Sequence, residues 1–312
     1  ERVAYKIYEK LTDKGISVDV FSCSSAVKHR TEIWLKENFK VINYPVYFNW
    51  LFPYKYLLRD LSVEIKSYDL LHVFNIHNPF SLACIFSKYP MVMSPYYHGR
   101  GHDLLAQVLW NTIYKKISKK ILEKQKGIIV NSHYQKRILI KDFGLFNTKF
   151  YLVYDGLDLA LIENASNYPR NKLGLDENDK LLLCVSRLER YKNIHLAIMV
   201  LKYLPTNFKL VIVGKGSKKY ENQLRNLISK LDLQKRVIML GFQPDEVVLG
   251  LYKESDLFLQ LSEVESFGMT CLEALAAETP VIVNNDNAGL SETAQIFSDY
   301  IYIYDSKNLK DL

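Results

Sequence analysis

The alternation of short apolar runs with amphipathic helical stretches constrains this chain more than any other feature. In the first half the runs are "SVDVFS" from Ser17, "DLLHVFN" from Asp69, "MVMSPYY" from Met91, "GIIVNS" from Gly127 and "FYLVYDG" from Phe150. In the second they are "KLLLCVS" from Lys180, "FKLVIVGKG" from Phe208, "RVIMLG" from Arg236, "DLFLQLS" from Asp256, "PVIVNN" from Pro280 and "YIYIYD" from Tyr300. These runs are continuously apolar, rich in β-branched and aromatic residues, and do not alternate with polar ones. That pattern belongs to parallel strands covered by helices on both faces. The rhythm breaks in "LDLALIENASNYPRNKLGLDENDK", which is polar and lacks strand character. A chain of 312 residues also exceeds what one core usually serves. We therefore expect two α/β domains, over residues 1–165 and 166–312, each a doubly wound parallel sheet.

Composition removes several classes. The longest apolar runs, such as "LLLCVS" and "LVIVG", fall far short of the roughly 18 residues that a membrane-spanning helix needs. Cys23, Cys84, Cys184 and Cys271 are scattered with no CxxC pair, which suits small buried side chains in a reducing, cytoplasmic setting rather than a cysteine metal site. The first residue is Glu1, within the helical pattern "ERVAYKIYEKLTDKG", so a preceding segment is expected and a signal peptide can be neither read nor excluded. The net charge of +7 is compatible with nucleic acid, anionic lipid or phosphorylated ligands. Part of it lies in a candidate helix over residues 104–126, where Lys115, Lys116, Lys119, Lys120, Lys124 and Lys126 accompany an apolar stripe of Leu105, Leu109, Ile113, Ile117 and Ile121. Two readings stand: a helix packed on a sheet with a solvated lysine face, or peripheral contact with the inner face of a membrane.

Ligands collect at the carboxyl ends of parallel strands, so the chemistry is sought there. Arg187 and Lys192 follow the strand at Lys180, Gly214 and Gly216 follow the strand at Phe208, and "SEVESFG" follows the strand at Asp256. Two cations, a turn of small residues, and a carboxylate beside a helix start suit a phosphorylated ligand. A departing diphosphate needs positive charge, and a helix beginning near Phe267 offers free N–H groups and the positive end of its dipole. No metal is then required. No two aspartates form Asp-x-Asp, and HExxH, GxxxxGK[ST] and GxGxxG are all absent.

Glu265 and Glu273 are separated by seven residues on either side of Ser266, Phe267 and Gly268. Spacing alone fits an ordinary helix with solvated acids as well as a working pair. Glu273, flanked by Leu272 and Leu275 and nearly two turns into the expected helix, is oddly placed for a freely solvated acid. A carboxylate there can accept hydrogen bonds from a ribose diol.

"ESFGMTCLEALAAETPVIV" resembles the signature of family 4 retaining glycosyltransferases of the GT-B fold. The surrounding segments are similar in the expected order: "LLHVFNIHNP", "PYYHGRGH", "VNSHYQK", "LVYDGLD", "VSRLERYKN", "IVGKGS" and "NAGLSE". The resemblance implies two Rossmann-like domains with parallel sheets facing across a cleft, a nucleotide-diphosphate sugar as donor, no cofactor, and a glycan or lipid-linked acceptor. It assigns Glu265 to donor hydroxyls, Ser266, Phe267, Gly268 and Met269 to sugar and phosphate, Glu273 to ribose, Arg187 and Lys192 to diphosphate, with Gly214 and Gly216 beside them. His98 matches the histidine that approaches the transferred sugar, and a structural histidine remains the other reading. His72, His77, Asn78, His102 and Asp103 are weaker candidates, while His29, His133 and His195 show no partner pattern. The family's first strand and Gly-rich loop, and its last helices, are expected to lie outside this sequence. "ESFG" and "NAG" are mild departures from the commoner "EGFG" and "NGG".

The expected reaction is metal-independent hexosyl transfer with retention of configuration, by positioning and electrostatics rather than by a Glu265 nucleophile. The alternatives are a sugar-nucleotide epimerase on the same fold, and a noncatalytic nucleotide- or nucleic-acid-binding protein, for which no nucleic-acid signature stands out.

Overall fold

The computed structural model describes residues 2–24, 27–45, 67–76, 81, 89–99, 115–285, 288–305, 308 and 312. The chain divides into two compact units: Glu1–Tyr97, Gly101–Val130 and Leu139–Leu152 form one, and His98–Arg100, Asn131–Ile138 and Val153–Leu312 the other.

In the first unit, helix α1 (Arg2–Thr12) precedes strands β1 (Val18–Ser24), β2 (Thr31–Lys36), β3 (Phe39–Pro45), β4 (Leu71–Phe74) and β5 (Met91–Ser94). Helix α2 (Lys115–Glu123), strand β6 (Gly127–Val130), helix α3 (His133–Phe143), of which His133–Ile138 fall in the second unit, and strand β7 (Phe150–Leu152) follow. Strands β4, β5, β6 and β7 form a sheet in sequence order with every pairing parallel. A separate sheet has the order β1-β3-β2, and its β2–β3 pair is an antiparallel hairpin turned at Glu37 and Asn38. Apolar runs do not reveal this hairpin, because β2 is a bordering strand with Ile33, Trp34 and Leu35 exposed among charged residues. Bordering strands commonly carry such charges. Of the lysine-rich segment, α2 is described and residues 104–114 lie outside the described residues. Of the expected stripe, Ile121 is buried and Ile117 half-buried, Leu122 beside them is buried as well, and Lys116, Lys119 and Lys120 are exposed, as on an amphipathic helix.

The second unit contains α4 (Leu159–Glu163), β8 (Lys180–Val185), α5 (Ile194–Val200), β9 (Phe208–Val213), α6 (Lys218–Lys230), β10 (Val237–Gly241) and α7 (Asp245–Glu254). It continues through β11 (Leu257–Gln260), α8 (Met269–Ala276), β12 (Val281–Asn284), α9 (Ala288–Ile296) and β13 (Ile301–Tyr304). Its six strands are all parallel and lie in the order β10-β9-β8-β11-β12-β13. Because successive strand residues point to opposite faces, Leu181 and Leu183 enter one buried cluster with α7, α8 and α9, whereas Leu182 and Cys184 enter another with α5 and α6. Two covered faces explain the uninterrupted apolar runs.

Counted from β8, the sheet order is third, second, first, fourth, fifth, sixth. Chain direction across the sheet therefore reverses between β8 and β11. In open α/β sheets this switch point leaves a crevice at the carboxyl ends of its two strands, where ligands bind.

Candidate active site at the switch point of the second sheet

The two strands at the switch point deliver the charged residues. After β8, Arg190–Lys192 form one turn of 3₁₀ helix, and Asn193 follows in the left-handed conformation, φ 54°. Asn193 is buried, and its side-chain amide donates to the Leu261 carbonyl at 3.1 Å. The Glu263 N–H donates to the Tyr191 carbonyl at 2.8 Å. These bonds tie the loop after β8 to the loop after β11. Lys192 Nζ then meets Glu265 Oε1 in an ion pair whose side chains are only 11% and 20% exposed. Such limited exposure leaves little water to screen the pair.

Glu265 Oε1 also accepts from Gln260 Nε2 at 3.0 Å. Arg187 points elsewhere: its guanidinium donates to Tyr191 Oη at 2.7 Å and pairs with Glu189 at 2.7 Å. The sequence reading offered Arg187 and Lys192 as two cations following one strand, and in this structure each has its own intramolecular partners.

Gly214 and Gly216 follow β9, and the chain itself uses their lack of a side chain. A Cβ on Gly214, at φ 136°, would lie 1.8 Å from the Ser186 carbonyl oxygen, and one on Gly216 would lie 2.0 Å from that of Leu188. The Leu188 N–H donates to the Lys215 carbonyl at 2.9 Å, and the Gly216 N–H donates to Glu221 at 2.9 Å. The loops after β8 and β9 are thereby seated against each other.

The Ser266–Gly268 turn is held from several sides. Phe267 is buried, its ring stacks on Tyr154 with centroids 5.3 Å apart, and its carbonyl accepts from Thr293 Oγ1 at 2.6 Å. Within the same unit, Ser132 Oγ donates to the Ser266 carbonyl at 2.6 Å. A Cβ on Gly289 would stand 2.1 Å from the Glu265 carbonyl oxygen, so the "NAG" glycine lets α9 close on this turn. Gly268 has φ 89° and caps α8, which starts at Met269. The helix thus begins two residues later than expected, since the left-handed glycine cannot be a helical position. Glu273 is accordingly only just past the first turn. It is half-buried, and Tyr252 Oη donates to it at 3.3 Å. Met269 is half-buried at the helix start.

His98 lies four residues past β5, half-buried, beside Gly99 at φ 86°. His72, in β4, is hydrogen-bonded to Ser94 Oγ at 2.9 Å and packed on Phe74; burial pulls its pKa down to about 4, so it is neutral at pH 7. His133 opens α3, and burial lowers the pKa of His195 in α5. His29 is exposed. His77, Asn78, His102 and Asp103 lie outside the described residues. Burial, and secondarily the Glu265 charge, push the Cys271 thiol up to about 12, which removes it as a nucleophile at neutral pH. Among the described residues no group of three His, Cys, Asp or Glu is arranged to hold a metal ion, and no helix is long and apolar enough to cross a membrane.

Sequence reading missed Gln260, Thr270, Asn193, Ser132 and Thr293. The only local signal was a glutamine inside the apolar run "LFLQLS".

A nucleotide-binding type of sheet with a charged pair at its switch point defines a class, and comparison with known proteins defines the family. Residues 1–161 match the family described as Glycosyltransferase Family 4, and residues 167–312 match Glycosyl transferases group 1. The chain belongs to the family 4 glycosyltransferases. It is 27% identical over 299 residues to the alpha-monoglucosyldiacylglycerol synthase of Streptococcus pneumoniae, covering 89% of this chain and 66% of that one. It is 28% identical over 246 residues to the N-acetylgalactosamine-N,N'-diacetylbacillosaminyl-diphospho-undecaprenol 4-alpha-N-acetylgalactosaminyltransferase of Campylobacter jejuni, covering 77% and 62%. The chain thus spans about two thirds or less of the length of these two relatives. The sucrose-phosphate synthase structure from Thermosynechococcus elongatus superposes with a TM-score of 0.78 at 19% identity, covering 96% of this chain and 79% of that one. For Anabaena Alr3699/HepE in complex with UDP and glucose the TM-score is 0.70 at 21% identity, covering 87% and 74%. The fold is that of the GT-B glycosyltransferases.

Proposed function

We propose that the protein transfers a hexose from a nucleoside-diphosphate sugar to an acceptor hydroxyl, with retention of anomeric configuration and without a metal ion. The observation that carries this reading is the Lys192–Glu265 pair at the switch point of a six-stranded Rossmann-type sheet. A cation and a carboxylate side by side, at the crevice where nucleotides bind such sheets, match a ligand whose diphosphate adjoins a polyol.

In this mechanism Lys192 and Arg187 bind the diphosphate, and the charge that builds on it as the glycosidic bond breaks is stabilised by the already positioned Lys192 ammonium. Arg187 exchanges its contacts with Glu189 and Tyr191 for phosphate oxygens. Glu265 accepts hydrogen bonds from donor hydroxyls and stays a positioning group. Ser266, Phe267, Gly268 and Met269 hold the sugar and phosphate through the main chain, and Glu273 takes the ribose. Gly214 and Gly216 shape the adjoining wall. His98 approaches the transferred sugar. The acceptor hydroxyl attacks from the face that the diphosphate leaves, and the leaving phosphate oxygen takes its proton.

For the acceptor, the names of the Streptococcus and Campylobacter relatives refer to a diacylglycerol lipid and a diphospho-undecaprenol, which supports a lipid-linked acceptor. The exposed Lys116, Lys119 and Lys120 of α2 would favour peripheral contact with anionic lipid at the inner membrane face, about 1 kcal/mol for each near-surface lysine. Replacing Lys115, Lys116, Lys119 and Lys120 with Gln should lower co-sedimentation with phosphatidylserine vesicles, and unchanged co-sedimentation would remove the membrane contact.

The central reading is tested by calorimetry against UDP-, GDP- and ADP-sugars with and without EDTA, followed by mass spectrometry of products. We expect one nucleotide series to bind regardless of EDTA and an anomerically retained product to form with an added acceptor. Release of nucleoside diphosphate without glycosylation would support an epimerase instead, and failure of all three series would sink the transferase reading.

A further inference from the structure

The carboxylate at the switch point rests on a buried polar chain that neither the motif nor the family match assigns. Gln260, the last residue of β11, is 3% exposed in a strand whose other residues are apolar. Both ends of its amide are engaged. Nε2 donates to Glu265 Oε1 at 3.0 Å and approaches Ser262 Oγ at 3.3 Å, and Oε1 accepts from Thr270 Oγ1, in the first turn of α8, at 3.0 Å.

The direction of this chain is set by chemistry. An ionised carboxylate only accepts, so the nitrogen end of the amide must face Glu265, and the oxygen end then requires the Thr270 hydroxyl proton. Both described donors to Glu265, Gln260 and Lys192, go to Oε1. Its other oxygen, Oε2, accepts from no group among the described residues.

We propose that Gln260, aligned by the Thr270 hydroxyl, is a positioning residue that fixes the rotation of the Glu265 carboxylate so that Oε2 is presented to a hydroxyl of the donor sugar. The inference rests on the nucleotide-sugar reading and deepens it. Lys192 alone cannot set this rotation, because an ammonium on a flexible stem pairs with a carboxylate from many directions. A planar amide pinned at both ends can. Burying an amide in this core has a desolvation cost that Leu would avoid, and the three bonds of Gln260 offset it.

The test uses Gln260→Leu, Thr270→Val and Thr270→Ser, with calorimetric binding of UDP-glucose, GDP-mannose and ADP-glucose beside UDP, GDP and ADP, and thermal melting as a check of folding. For the pair that wild type binds, Gln260→Leu should weaken the nucleotide sugar about tenfold, the size of one hydrogen bond to a charged group. The matching nucleoside diphosphate should change less than about twofold on the same principle, since it lacks the sugar. Thr270→Val should act in the same direction, and Thr270→Ser, which keeps the hydroxyl, should bind like wild type. A packing role predicts the opposite order, because Val keeps the branched shape of Thr whereas Ser lacks its methyl group and leaves a gap.

Equal affinities of Gln260→Leu and wild type for the nucleotide sugar, or a larger loss with Ser than with Val at position 270, would overturn the proposal while leaving the nucleotide-sugar reading intact. If wild type binds none of the six ligands, the nucleotide-sugar reading falls and this inference falls with it. Should Gln260→Leu fail to fold, the order of the two Thr270 variants decides.

Discussion

The carboxyl ends of β9 and β11 flank the same strand, β8, and in the sequence both look like phosphate-suited turns. In the structure they work differently. After β9, the space beside Gly214 and Gly216 is filled by the main chain of Ser186–Leu188, and the Gly216 N–H is taken by Glu221. After β11, side chains dominate: Lys192, Glu265, Gln260 and Thr270 form one connected polar chain. One end is a problem of shape and the other of charge. A small residue or a charged residue after a strand is thus an ambiguous signal, whose meaning depends on which neighbouring strand end it meets.

Mutations that separate stability from ligand binding probe this contrast, beginning with the largest expected effect. Gly214→Ala should destabilise the protein by about 3 kcal/mol or more in urea titration, because it adds a positive-φ penalty to a backbone clash. Unchanged stability with reduced nucleotide affinity would instead make this turn a ligand contact and dissolve the contrast. Lys192→Ala should behave in the opposite way. We expect turnover to fall about a hundredfold, near 2.7 kcal/mol, from the loss of a positioned charge at the leaving group. Its loss of stability should be smaller than that of Gly214→Ala, and a variant that unfolds instead would mark the pair as structural.

Glu273→Gln should weaken nucleotide binding about fivefold, close to 1 kcal/mol, by replacing a charged acceptor with a neutral one. Its turnover at saturating donor should hold, and a loss confined to turnover would move Glu273 out of the ribose role. Smallest of all is Arg187→Lys. Its side chain is 64% exposed, so melting should stay within the range of exposed ion pairs, under about 1 kcal/mol. Nucleoside-diphosphate affinity should fall about threefold through loss of the planar fork. An affinity equal to wild type would mean that the contacts to Glu189 and Tyr191 are the whole role of Arg187.

Much of the second sheet was legible because a strand must be apolar where both of its faces are covered, and the buried stretches "LLLC" and "LVIV" are, with Lys180 and Lys209 near the less buried strand starts. The β2–β3 hairpin was not legible, since "TEIWLK" lies at a sheet border and mixes charges with exposed apolar residues. The start of α8 was misplaced by two residues, because nothing in "ESFGMT" alone says that Gly268 takes a left-handed conformation. Glu265 and Lys192 could be named as candidates, but their pairing could not. They are 73 residues apart, and no local pattern carries information across that distance.

The sequence by itself determined that the second half is a parallel, helix-covered sheet, and that two carboxylates stand on either side of a Phe-Gly turn. Tertiary structure alone decided that β8 pairs with both β9 and β11. That order makes the switch point, brings Lys192 to Glu265, and puts Gln260 and Thr270 beneath them. The physical reason is that apolar periodicity records only how each segment is buried. Which strands become neighbours follows from long-range packing of all six strands and their crossover helices at once.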